Sequence, residues 1–109
     1  MPKKYILNSA VITSPGTYEY HLINAEQAKS WLKSGGWKST IGYVETAYAL
    51  ATLVGMPIPL NRKLVRMEPG DEALVFRLTC RLSNPELKGK LSPDFVLKNC
   101  EIGILKRIR

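Results

Sequence analysis

At 109 residues and 45% hydrophobic content, the chain suits one domain (1–109) with a single core that is marginal by area, so that association of copies would help it. Its formal charge of +7 is uneven: five Lys/Arg face three acids up to Leu60, and eleven face six from Asn61 onward. That imbalance points to a phosphate-bearing partner, because a basic surface concentrates anions and speeds encounter.

Several classes are excluded early. The apolar stretch behind Met1-Pro2-Lys3-Lys4 breaks at Asn8 and Ser9, too soon for a secretory signal, and a membrane-spanning helix needs about 20 apolar residues. Cys80 and Cys100 form no CxxC pair and lie far from the lone His21, which argues against zinc and for a reducing, cytoplasmic setting. The two cysteines would bridge only if strands brought them together.

In chain order, Lys4 to Ile12 reads as a strand followed by the Ser14-Pro15-Gly16 turn, and Tyr18 to Ile23 as a second strand. Asn24 offers a helix cap with Gln27 three residues on, a capping box for a helix to Ser34 that Gly35-Gly36 ends. A second helix is expected from about Ser39 to Val54, stopped by Gly55 and by Pro57 and Pro59. Lys63 to Met67 reads as a strand, Pro69-Gly70-Asp71 as a turn, and Ala73 to Leu82 as the clearest strand of the chain.

In that strand Leu74, Phe76, Leu78, Cys80 and Leu82 share one face, expected to be core. Val75, Arg77, Thr79 and Arg81 share the other, expected to be basic. Ser83 to Leu91 reads as a loop, Ser92-Pro93-Asp94 as the cap of a short helical turn, and Glu101 to Ile108 as the last strand. The fold class is therefore α/β: a small mixed sheet of about five strands with two main helices packed on it, and the Arg77 strand central.

The segment Ser39-Thr40-Ile41-Gly42-Tyr43-Val44-Glu45-Thr46 concentrates hydroxyls, a glycine and a helix start. Ser39 or Thr40 as a cap, with uncovered amides and the positive end of the dipole, makes an anion site. Glycine in a first helical turn costs about 1 kcal/mol relative to alanine, and close approach of a ligand is one reason to keep it. Asn8 and Ser9 break the first strand with polar groups that need partners. Arg62 sits on a proline-flanked loop. Arg77 and Arg81 repel across one strand face unless an anion, a second subunit or an acid such as Glu45 or Glu86 lies between them. No GxSxG, HExxH or Walker loop is present, and nothing points to a metal or cofactor.

Taken together, Tyr5-Ile6-Leu7-Asn8-Ser9-Ala10, Ser39-Thr40-Ile41-Gly42 through Thr46, Pro59-Leu60-Asn61-Arg62, Gly70-Asp71-Glu72-Ala73-Leu74-Val75 and Arg81-Leu82 resemble the viral anti-CRISPR ring nuclease family and its bacterial and mobile-element relatives. The resemblance implies a homodimer that holds cyclic tetra-adenylate, the messenger of type III CRISPR defence, in a pocket across its interface. It also implies metal-independent cleavage, in which a ribose 2′-hydroxyl attacks its own phosphodiester. Asn8, Ser9, Gly42, Thr46, Arg62 and Arg81 would contact the ring, beside Ser39 from the anion-site reading.

Two positions depart from that family. Its catalytic histidine follows the glycine of the helix-opening motif, where this chain has Tyr43, and a phenol is a much weaker acid at neutral pH than an imidazolium. Its usual acid after Arg81-Leu82 is replaced by Ser83-Asn84-Pro85-Glu86, so that only a loop shift brings Glu86 to the same place. The expected function is a cyclic-oligoadenylate binder that sequesters or slowly cleaves its ligand. A fully active ring nuclease using Tyr43 is one alternative. A regulator binding long nucleic acid through the basic half is another, disfavoured because aromatics do not interleave with the basic strand and no helix is rich in Lys or Arg.

Overall fold

The computed structural model describes residues 3–8, 14–61, 65–79 and 93–109. Five strands form one mixed sheet: β1 (Lys4–Leu7), β2 (Tyr18–Leu22), β3 (Trp37–Ser39), β4 (Glu72–Leu78) and β5 (Cys100–Arg107), in the order β2-β5-β4-β1-β3. β1 runs parallel to β3 and β4, while β5 runs antiparallel to β4 and β2. Among the described residues three helices accompany the sheet: α1 (Ala25–Lys33), α2 (Val44–Val54) and the short α3 (Pro93–Lys98). The expected class and the central place of β4 hold.

Local signals account for α1. The Gln27 amide donates to Asn24 Oδ1 (2.8 Å) and the Asn24 amide donates to Gln27 Oε1 (3.0 Å), closing the capping box. Such a cap is worth about 1 kcal/mol. Past Ser34 the chain takes φ values of 74° and 77° at Gly35 and Gly36, open to glycine at little cost. Gly55, at φ 71°, ends α2 and donates to the Ala51 carbonyl (2.9 Å).

Both faces of the sheet are buried. Ile6, Leu74, Phe76 and Ile102 meet Ala28 and Leu32 of α1, Leu50 and Leu53 of α2 and Val96 of α3 in the larger cluster. Met67, Ala73, Val75 and Leu105 form a smaller one on the other side, with Tyr5, Leu7, Tyr18 and Tyr20 packed against it. The second face of β4 is thus apolar at Ala73 and Val75, not basic throughout. Arg77 stands beyond that cluster and pairs with Glu101 Oε2 (3.3 Å), its cross-strand neighbour; Glu86 and the Glu45 side chain lie outside what the structure describes.

Four other expectations change. β1 is strand only to Leu7 among the described residues. β3 was not anticipated; it is three residues long. α2 begins at Val44, because Ser39 closes β3 and Thr40 is tied to β1, its amide and hydroxyl both donating to the Ile6 carbonyl (3.0 and 2.7 Å). Residues 65–67 carry no strand; Met67 instead buries its side chain in the smaller cluster. Cys100 is a free thiol, pushed above its ordinary pKa by burial, and Cys80 lies outside the described residues.

Two latches hold the second face. Asp71, 3% exposed, accepts from the Lys3 amide at Oδ1 (2.8 Å) and from the Glu68 amide at Oδ2 (2.9 Å). Arg107 donates to three carbonyls, of Met67 (2.5 Å), Pro15 (2.8 Å) and Arg109 (2.9 Å).

Candidate functional site

The three mutually parallel strands β1, β3 and β4 end on the same side of the sheet. Ligands of open sheets with parallel strands collect at those carboxyl ends. Ile6 is level with Ser39 on one side and Leu74 on the other, so Asn8, two residues on, emerges beside the turn that carries the chain from β3 into α2. Asn8 is half-buried, and its side chain makes no hydrogen bond among the described residues.

The approach to α2 is held from both sides. Ser39 is buried, and its hydroxyl accepts from the Ile41 amide (3.4 Å). Asn61 donates its amide to the Ile41 carbonyl (2.9 Å) and its side-chain Nδ2 to the Ser39 carbonyl (3.1 Å). These bonds draw the loop after α2 back onto the turn before it. Asn61 is a positioning residue that reading the sequence missed as such.

Because Ser39 and Thr40 are committed to the strand layer, neither caps α2. Tyr43 is the N-cap, in extended conformation (φ −115°, ψ 124°) and without a side-chain cap bond. The first-turn amides of α2 therefore lack a covering oxygen from the cap, and the positive end of the helix dipole is left for an anion. Tyr43 is 54% exposed. Thr46, in the same first turn, is 9% exposed, and no buried side-chain oxygen or nitrogen among the described residues lacks a hydrogen-bond partner. Gly42 lies between, half-buried and outside the helix, so the helix-stability cost expected for it does not arise.

The fold thus gathers Asn8, Ser39, Gly42, Tyr43 and Thr46 at one end of the sheet. Ser9, Arg62, Arg81 and Glu86 lie outside the described residues. A cleft of about 520 Å³ lined by Ile23, Glu26, Gln27, Ser30, Trp31 and Ile104 involves none of these positions. Among the described residues no cluster of three His, Cys, Asp or Glu is placed to hold a metal, and no helix is long and apolar enough to cross a membrane.

A mixed five-stranded sheet with helices packed on it defines a small α/β fold. The chain belongs to the STIV B116-like family, whose model matches residues 4–94. It is 43% identical over 74 residues to the uncharacterized protein YddF of Bacillus subtilis (strain 168), covering 66% of this chain and 68% of that one. It is 31% identical over 88 residues to the uncharacterized protein ORF117 of Acidianus two-tailed virus, covering 76% and 75%. Its fold matches B116 of Sulfolobus turreted icosahedral virus with a TM-score of 0.78 over 96% of this chain and 99% of that one, at 23% identity. The family therefore spans viruses and a bacterium, and the five-stranded fold is shared with B116.

Proposed function

We propose that the protein binds a cyclic oligoadenylate, cyclic tetra-adenylate foremost, in a pocket that two copies form where β1 and β3 end and α2 begins, and that it sequesters or slowly cleaves that ring to counter type III CRISPR signalling. The single observation behind this reading is the start of α2, whose N-cap Tyr43 makes no side-chain cap bond. Bare amides and a dipole end favour a phosphate, and the Thr46 hydroxyl in that turn is able to donate to a ligand oxygen. Asn8 adds an amide able both to donate and to accept, as recognition of a ribose or a base edge requires.

Cleavage would form a bond from the ribose 2′-oxygen to phosphorus and break the bond from phosphorus to the 5′-oxygen. The 2′-proton leaves to solvent or a base, and the departing 5′-oxygen takes up a proton. Tyr43 stands at the helix start where that donor is needed, with a phenol in place of an imidazolium. Loss of a matched general acid costs typically 10²- to 10⁴-fold, so binding outlasts catalysis. The nucleic-acid reading is weakened because Arg77 and Lys106 are paired with Glu101 and Glu72, and Arg107 is committed to backbone carbonyls.

Calorimetry with cyclic tetra-adenylate, followed by chromatography of the incubated ring, tests the proposal. Binding is expected, with little linear di-adenylate formed, and Thr46→Val should weaken it by about tenfold, the worth of one hydrogen bond. Absence of binding by the unaltered protein would refute the reading.

A further inference from the structure

The cleft of about 520 Å³ beside α1 has the size of a small-molecule pocket, about 300–1,000 Å³, and shares no residue with the site at the strand ends. Its floor is apolar. Ile104 of β5 and Ile23, which follows β2 and donates its amide to the Ile102 carbonyl (2.9 Å), are both half-buried. Glu26, Gln27, Ser30 and Trp31 lie three and four residues apart on α1, so that one face of the helix overhangs this floor.

Trp31 is a fixed wall. Its Nε1 donates to Glu72 Oε1 (2.6 Å) at the start of β4, and Lys4 Nζ of β1 stands 5.3 Å from the ring centroid. β1 and β5 flank β4 on opposite sides, so Lys4 covers the indole from one side and the cleft with Ile104 opens on the other. An aromatic wall over an apolar floor selects a flat ring. The surroundings select an uncharged one: Glu26 Oε1 lies 3.7 Å from Lys29 Nζ and Glu72 Oε2 lies 3.9 Å from Lys106 Nζ, so each carboxylate already has its counter-charge. Neutral hydrogen-bonding groups complete the rim. Gln27 spends its Oε1 on the Asn24 amide (3.0 Å) and keeps its Nε2 to donate, and the Ser30 hydroxyl, at an exposed position, donates or accepts.

We propose that this cleft binds a purine nucleoside, its base stacked on Trp31 and the edge of that base hydrogen-bonded by Gln27, Ser30 and Glu26. The two-ring base matches the two-ring indole, and its edge sets ring nitrogens, which accept, beside an exocyclic amine, which donates. Gln27 and Ser30 answer the nitrogens; Glu26 answers the amine. Stacking on the aromatic side chain supplies the larger share of the affinity. A rim whose charges are already balanced favours the free nucleoside over the same base carried in a phosphodiester strand. The proposal goes beyond ring binding and does not rest on it, because a nucleoside has no phosphate for the start of α2 to hold.

The chain has two tryptophans, so Trp37→Phe leaves Trp31 as the one indole emitter. Titration with adenosine is expected to quench that emission saturably. Ser30→Ala and Glu26→Gln, both at exposed positions, should each weaken binding by about fivefold, the worth of one hydrogen bond, with the circular dichroism unchanged. The indole N–H resonance of Trp31 in the unaltered protein gives the same reading without the Trp37 change. An indole signal that adenosine leaves in place overturns the proposal, as does a response indifferent to both variants. Tighter binding of linear tri-adenylate than of adenosine overturns the choice of a free nucleoside.

Discussion

The Tyr20 ring lies across Gly103, diagonally over the β2–β5 ladder, so closely that a Cβ on Gly103 would come within 2.5 Å of it. Glycine is required there by space. Gly103→Ala is expected to push the ring off the sheet and to cost about 1–3 kcal/mol, the usual range for overpacking. Urea denaturation followed by circular dichroism measures that loss; a midpoint equal to the parent's would show that the ring has room to move.

The same ring reports on pH. Burial, then the Glu101 charge and its hydrogen bond, raise the Tyr20 phenol above its ordinary value of 10.0, against a smaller opposing pull from Arg77. A raised pKa in the folded state means the proton is held more tightly there than in the unfolded chain. That contribution is complete below pH 10 and is lost as pH rises through the folded value. Tyr20→Phe should therefore flatten the alkaline limb of a stability–pH curve above about pH 10. An unchanged slope would dissociate Tyr20 from it.

Asp71→Asn removes one of two carboxylate oxygens that receive the Lys3 and Glu68 amides and sets a donor against a donor. With the site 3% exposed, water cannot substitute, and a loss of about 1–3 kcal/mol is expected. Thermal melts of the two proteins side by side give the answer.

Asn61→Ala cuts the bond from Nδ2 to the Ser39 carbonyl and leaves the backbone bond to Ile41 in place. Stability should fall by about 1 kcal/mol, the worth of one such bond. Titration of cyclic tetra-adenylate into the variant should show a weaker complex, since the turn before α2 is less firmly held. Full affinity would make Asn61 purely structural.

Tyr43→His restores an acid matched to neutral pH at an exposed helix cap, so the melting temperature should hardly change. Single-turnover cleavage of the ring is expected to rise by 10²- to 10⁴-fold. No rise, with binding intact, would mean that other parts of the site no longer align the 2′-hydroxyl.

The positions of the candidate site were singled out by local sequence signals. Asn8 stood out as a polar break in the first strand and Ser39 through Thr46 as hydroxyls and a glycine at a helix start, and the pairing of β1 with β3 sets the ends of these two strands side by side. The role of Asn61 was not legible, because a side-chain bond to a carbonyl 22 positions away leaves no local pattern.

What the sequence by itself determined are the features governed by a few neighbouring residues: the Asn24–Gln27 box of α1, the glycine stops of α1 and α2, and the apolar alternation of Leu74 and Phe76. The rest waited for partners distant in the chain. β3 is a strand only because β1 offers it an edge, and Thr40 fails to cap α2 because the Ile6 carbonyl already holds its hydroxyl. Ala73 and Val75 are buried because Met67 packs against them, and register alone gives Arg77 to Glu101. Caps and turns act over three or four residues, whereas pairing, register and two-sided burial exist only once the sheet has assembled.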